Sequence, residues 1–366
     1  MPSNQPSASP TNQPTLSPTN KPTLVPSTLP TQAPTPARYN CTGSSLTCNI
    51  VQLFRSVRSR HDITFNSTQE KILAIHQFQK NLNQIEHFNL EVITGNLRFG
   101  LSQFSMSNLS SFRDNNMGAI IPSTNPLHGS VIVHGRPREL VGISPQAIKV
   151  DWTGVYTTAI KNQGKCGCCY VFSAVAQIES DAMRLNHTSP LMQLSPQQPL
   201  DCGGAATALG CGGGFPLNIY AYARRSGLVR HDLYPYQGGP NKLCKYFNST
   251  APIIVSVVKF HVFQSHTEAD MAVYIQNVGP LAAIVYADKW QHYTFGIMTA
   301  AACGYSGKVN HAVQIVGVDY SDPTSAYWIV STLCLCHLSL SGCTISTIPK
   351  NLLCFRFGTS GQRHGV

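Results

Sequence analysis

With 366 residues, 42% of them hydrophobic, the chain can bury the core of one sizeable domain and carry appended segments besides. The formal charge of +10 rests on a sequence with only 11% charged residues and no Lys/Arg run long enough to follow phosphates, so composition argues against a nucleic-acid partner. Thirteen cysteines and five Asn-x-Ser/Thr sequons (Asn40, Asn66, Asn108, Asn186, Asn248) point instead to an oxidising, secretory compartment.

No charged n-region or apolar h-region follows Met1, so the expectation is unconventional export or an internal start. Prolines recur every four residues from Pro2 to Pro34 among Ser, Thr, Asn and Gln. Residues 1–38 therefore read as a solvated, disordered stalk, held extended by its prolines and open to O-glycosylation. Residues 39–113 read as a helical segment. Within it Ile72, Ile75, Phe78, Leu82, Ile85 and Phe88 recur at three- and four-residue steps along one face. Residues 114–143 are rich in Gly, Pro, Asn and Ser and read as an exposed connector where processing would occur.

From 144 to 330 the pattern is α+β: helices near 169–185 and 216–226, then strand-like stretches at 252–264, 281–287, 311–319 and 326–330. The stretch Gln163-Gly164-Lys165-Cys166-Gly167-Cys168-Cys169 carries the most chemistry. Its glycines permit a tight loop, and the following run places Cys169 at a helix N-terminus, where partial positive charge favours thiolate over thiol. Gln163 supplies an amide that, with the Cys169 backbone N–H, would hold a developing oxyanion. Cys166, Cys168 and Cys169 could also pair among themselves or bind zinc. A thiolate needs a base, and His311 opens an apolar strand, His311-Ala312-Val313-Gln314-Ile315, after the flexible loop from Gly304 to Lys308.

These residues closely resemble the active-site motifs of papain-like cysteine proteases. Cys168 stands where Ser or Ala is usual, and the His follows the Cys by 142 residues, in keeping with the family spacing. Glu70, Phe78, Asn81, Ile85 and Asn89 match the signature of cathepsin L-like inhibitory pro-segments, with Ala74 in place of its Arg. Gly100 and Phe104 resemble the second pro-segment motif, with Ser102 and Met106 replacing Asn and Asp. The resemblance implies a two-lobed fold, helical lobe first and β-rich lobe second, with a cleft between them. It implies a zymogen whose own pro-segment is its inhibitor, and a cysteine endopeptidase with Cys169 as nucleophile, His311 as base and Gln163 in the oxyanion hole. Gly213 and Gly214 would bind the peptide backbone, and Phe215, Pro216, Ile284 and Ala312 would line an apolar pocket for the residue two before the scissile bond. Disulfides Cys166 with Cys211 and Cys202 with Cys244 are implied, and Cys303 would open a third. The same resemblance implies peptide or protein substrates, a monomer, no metal or cofactor, and a lysosomal, vacuolar or extracellular destination.

The pattern breaks after Val330. Residues 331–366 form an aberrant tail in which Thr332, by ungapped count, takes the place of the family Asn that orients the catalytic imidazole. This favours an alternative reading, an inactive or weakly active homologue that binds peptides. The segment 331–354 shows no helical or strand period. Its Ser, Thr, Gly and His content argues against a membrane helix over 329–348, and Cys334, Cys336, His337 and Cys343 fit no common zinc spacing. Phe357-Gly358-Thr359-Ser360-Gly361-Gln362 faintly resembles the lost continuation, so translated intron is the expectation.

Overall fold

The structure, a computed structural model, describes residues 46–92, 97–120, 131–134, 140–185, 192–204, 210–240, 243–245, 252–257, 261–264, 268–304, 309–322, 326–331 and 343–346.

The chain opens on helices α1 (Leu46–Arg60) and α2 (Thr68–Glu91). Ser67 caps α2 by accepting from the Glu70 N–H, and the Glu70 carboxylate reaches back to the Asn66 N–H at 2.7 Å. This reciprocal arrangement satisfies donors that the first helical turn leaves open. The buried face of α2 runs through Ala74, Phe78, Asn81, Ile85 and Phe88, whereas Ile72 is exposed. The apolar stripe is therefore rotated at its start from the one that sequence periodicity predicts. Small Ala74 joins Phe54, Val57, Phe78 and Met106 in one buried cluster. Two of the three departures from the pro-segment pattern, Ala74 for Arg and Met106 for Asp, fall inside it, so two apolar side chains stand where the pattern has opposite charges.

Two asparagines tie α2 to the segment 99–107. Asn81 donates to the Ser105 and Ser107 carbonyls, and Asn89 pairs with both backbone groups of Phe99, all at 2.9 Å. Phe99 lies in strand β1 (Arg98–Phe99), and helix α3 (Leu109–Asn116) comes next with Asn108 as its cap.

Strand β2 (Val131–His134) leads to β3 (Lys149–Asp151), then to helices α4 (Cys169–Arg184), α5 (Gln197–Cys202) and α6 (Pro216–Ser226). Next come β4 (His261–Gln264), α7 (Glu268–Asn277), β5 (Leu281–Val285), β6 (Tyr293–Phe295), α8 (Ala300–Cys303), β7 (His311–Asp319), β8 (Tyr327–Ser331) and β9 (Cys343–Ser346). Strand β7 is central, antiparallel to β3, β5 and β8. Alternation along β5 and β7 divides two cores. Ala282, Ile284 and Ala312 face the α4 core, while Leu281, Ala283, Val285, Val313 and Ile315 belong to the other.

Nearly every side chain of α4 is buried, so its polar groups need internal partners. Ser173 donates to the Val313 carbonyl at 2.7 Å, and Gln177 to the Pro280 carbonyl at 3.0 Å. Glu179 is fully enclosed, paired with Lys161 at 2.5 Å and accepting from the Leu194 N–H at 2.6 Å. These bonds set the position and rotation of α4 against the sheet.

Besides the face of α2, three sequence expectations need correction. Residues 252–264 are not one strand: Val255 forms only a single bridge with Leu228, and the strand proper is β4, parallel to β2. The connector is not uniformly exposed, because Met117 and Ala119 are buried and residues 131–134 are paired. Finally, the tail supplies β9, antiparallel to β8. Ladder pairing uses backbone groups, so a segment without an alternating pattern can still close a sheet edge.

Candidate active site

Gln163 begins the site. Its buried side-chain amide donates to the Cys166 carbonyl at 2.8 Å, folding the loop back on itself, and to the Asn116 carbonyl at 3.0 Å. Cys166 is disulfide-bonded to Cys211, and Cys202 to Cys244. Cys168 is the N-cap of α4 and Cys169 its first residue, both fully buried. A residue that sequence reasoning missed, Tyr236, braces this loop. Its hydroxyl donates to the Gln163 carbonyl at 2.8 Å and lies 3.2 Å from the Cys168 sulfur, and its ring stacks edge-on against Phe172. In the sequence Tyr236 shows only its place beside Pro235, which carries no chemical signal.

Strand β7 brings His311 to the same place. Ala312, its neighbour, donates its N–H to the Cys169 sulfur at 3.4 Å, while His311 sits opposite Val285 with Trp290 edge-on at 5.9 Å. Burial pushes the Cys169 thiol up to about 11, opposed by the N–H groups of Ala312, Gly118, Tyr170 and Cys169 itself. Burial also pushes His311 down to about 4. Burial thus favours the neutral form of both groups while the site is covered.

The cover is the chain's own N-terminal part. Ala119 bridges Gly214 in parallel: Ile120 N–H donates to the Gly214 carbonyl at 2.8 Å, and Gly214 N–H to the Gly118 carbonyl at 2.7 Å. Gly118 and Ala119 both donate to the Asn310 carbonyl at 3.1 Å. Only glycine fits at 118, since a Cβ there would lie 1.7 Å from the Gly167 carbonyl oxygen. Gly213 is similarly constrained, with φ +110° and a Cβ position 2.8 Å from the Ile120 side chain. Phe215, Ile284 and Ala312 share a buried apolar cluster with Ala119, and Pro216 is buried at the start of α6.

Farther along, Asp288 in the 3₁₀ turn Asp288–His292 is gripped by Arg113 of α3. Arg113 Nε donates to Oδ1 at 2.9 Å and its Nη2 to Oδ2, while Tyr286 and Asn310 donate at 2.8 and 2.7 Å. Burial alone would raise the Asp288 carboxyl, but the Arg113, Tyr286 and Asn310 hydrogen bonds outweigh it and hold the pKa below the usual value. The same turn holds β1 and the loop after it. Gly100 N–H donates to the His292 carbonyl, the Ser102 hydroxyl to the Gln291 carbonyl, and the Gln291 amide to the Ser107 carbonyl. The His292 ring is buried beside Phe88, and neither nitrogen has a hydrogen-bond partner among the described residues.

Cys303 is a free thiol among the described residues, 3.7 Å from the Tyr286 carbonyl. Thr332, Cys334, Cys336 and His337 lie outside the described residues, as do residues 1–38 and the sequon asparagines Asn40, Asn186 and Asn248. Among the described residues no group of three or more His, Cys, Asp or Glu side chains is placed to hold a metal, and no helix is long and apolar enough to cross a membrane.

Residues 146–332 match the family described as papain family cysteine protease. A cathepsin L-like proteinase of Phaedon cochleariae is 30% identical over 286 residues, covering 76% of this chain and 83% of the relative. Pro-cathepsin H of Bos taurus is 30% identical over 296 residues, covering 79% and 84%. Among solved structures, digestive procathepsin L2 from Tenebrio molitor larval midgut superposes with a TM-score of 0.72 at 21% identity, covering 84% of this chain and 98% of that one. A recombinant stem bromelain precursor gives 0.69 at the same identity, covering 84% and 97%. The fold is therefore the α+β architecture of these precursors.

Proposed function

The chain belongs to the papain family of cysteine proteases, and on that premise we propose that it is the zymogen of a thiol endopeptidase with Cys169 as nucleophile and His311 as its base. Residues 39–113 and the stretch through Ile120 then act as the inhibitory pro-segment. The observation that carries the reading is the convergence on Cys169. The Ala312 N–H touches its sulfur, and the nearby Gln163 amide already holds a carbonyl oxygen.

Once the pro-segment leaves, water re-enters the cleft and the burial that keeps the pair neutral is relieved. Cys169 then passes its proton to His311, and the helix N-terminus favours the thiolate that results. The sulfur attacks the scissile carbonyl. The Gln163 amide and the Cys169 N–H receive the oxyanion. His311 gives its proton to the departing amine, and water, deprotonated by His311, hydrolyses the thioester. Gly213 and Gly214 hold the substrate backbone, and Phe215, Pro216, Ile284 and Ala312 favour an apolar side chain two residues before the cut. Ala119, packed in that cluster, supports the assignment. The protein works as a monomer in the secretory pathway, in keeping with its two disulfides.

Thr332 at the counted position of the family Asn favours a second reading, a homologue that binds peptides without cutting them. Peptide-cleavage assays on processed protein separate the two. Cys169→Ala and His311→Ala should each lower kcat/KM by at least about a thousandfold. Cleavage that survives Cys169→Ala removes the nucleophile assignment, and a folded wild type that binds but never cuts favours the second reading.

A further inference from the structure

We infer that Asp288, with Tyr286 and Asn310, forms a subsite for an arginine side chain on the leaving-group side of the cut. This inference rests on the proposed active site. In the zymogen the half-exposed Arg113 side chain occupies the Asp288 carboxylate, so the pro-segment already displays the ligand the site accepts.

The geometry is that of a built carboxylate receptor. Each oxygen of Asp288 gives one acceptor position to the protein and one to Arg113. Oδ1 takes Asn310 Nδ2 and Arg113 Nε, and Oδ2 takes the Tyr286 hydroxyl and Arg113 Nη2. The two internal donors fix the carboxylate plane, leaving two parallel acceptor positions that match a guanidinium fork better than a point-charge ammonium. The Asp288 side chain is 5% exposed, so removal of Arg113 leaves a largely enclosed carboxylate with neutral partners only. Such a group gains strongly from a replacement cation.

The pro-segment path locates the subsite. Gly118 lies against the nucleophile loop, and residues after it pair with Gly214, the loop assigned to the part of the substrate before the cut. Residues before it lead back to Arg113, which reaches Asp288 beside the Asn310 side chain rather than Gly214. Asn310 spans the gap: its carbonyl accepts from Gly118 while its side chain holds Asp288. A long side chain on the first or second residue after the scissile bond can therefore reach the carboxylate. Of the other charged groups at this face, Asp114 and Glu91 depart with the pro-segment, and Lys289, which pairs with Glu91 at 3.8 Å in the zymogen, is left as the cation that an incoming arginine must outcompete.

The test uses processed protein and internally quenched peptides that differ only at the first two residues after the cut, carrying Arg, Lys, Ala or Glu. Wild type should favour Arg over Ala by about ten- to a hundredfold in kcat/KM, with Lys between and Glu lowest. The Arg preference should collapse in Asp288→Asn and turn toward Glu in Asp288→Lys. Equal rates for Arg and Ala in wild type, or an Arg preference that persists in Asp288→Asn, overturns the inference. If no peptide is cut, the proposed activity is what has failed, and fluorescence anisotropy of the labelled Arg and Ala peptides still decides the subsite. Tighter Arg binding lost in Asp288→Asn upholds it, and equal binding rejects it.

Discussion

The side-chain amide of Gln163 donates to the carbonyl of Asn116 at 3.0 Å, so the donor assigned to the oxyanion is held by the protein's own N-terminal segment. Latency then has two parts, a covered sulfur and an occupied oxyanion donor. After processing, Gln163→Ala should lower kcat by about a hundred- to a thousandfold while KM changes little, because the amide acts on charge that develops only in the transition state. Steady-state kinetics on one peptide checks this, and an unchanged kcat removes Gln163 from the mechanism.

Gly118→Ala places a methyl group where the Gly167 carbonyl already lies, at 1.7 Å. Overpacking of this kind costs about 1–3 kcal/mol, and the pro-segment can escape it by lifting from the cleft. The full-length variant should therefore react with a thiol-alkylating peptide about ten- to a hundredfold faster than wild type. Processed enzyme made from either precursor should behave identically, since residue 118 departs with the pro-segment.

His292 predicts how acid opens the zymogen. Its ring is buried between the catalytic domain and Phe88 of α2, and burial pushes its pKa down to about 4 from the ordinary 6.5. If departure of α2 exposes the ring, the depressed pKa favours the closed form above pH 6.5, and that contribution is lost as pH falls from 6.5 through about 4. Within that window closure weakens by up to about 1.4 kcal/mol per pH unit from this residue. The Arg113 and Asp288 pair works at lower pH, because the Asp288 carboxyl is held below its usual value. His292→Leu should flatten the pH dependence of pro-segment release between pH 6.5 and about 4, measured by Cys169 alkylation in the full-length protein.

Lys161 and Glu179 predict a stability effect away from the chemistry. Lys161→Met leaves the fully enclosed Glu179 carboxylate without its cation, which costs about 3–5 kcal/mol. Thermal melting should show a large fall in Tm, and Glu179→Gln combined with Lys161→Met should recover part of it.

Much of the helical lobe was legible because its signals are local. The glycines around Cys166 announce a loop, the run after Cys169 a helix, and the steps from Phe78 to Phe88 a buried face. Ile72 misled because the face of α2 that is buried is the one on which Phe54, Val57 and Met106 gather around Ala74 and Phe78, a tertiary matter. The stretch 252–264 carries β-branched residues, but pairing partners are set by topology, and Val255 meets only Leu228. Strand β9 was hidden for the opposite reason, since an edge can be closed by backbone pairing with little side-chain pattern. Arg113 with Asp288, and Tyr236 with Gln163, join residues 175 and 73 positions apart, and no periodicity links such pairs. His292 reads as one histidine among thirteen until its enclosure is seen.

The central claim is that Cys169, among the cysteines clustered at the start of α4, is the nucleophile once the pro-segment is gone. The most direct measurement is to treat processed protein with a peptide-like thiol-alkylating inhibitor and locate the adduct by mass spectrometry. One adduct on Cys169, formed in step with loss of peptide cleavage, is the predicted result. Modification at Cys168 or Cys303 with Cys169 untouched, or no adduct at all in a folded sample, would contradict it.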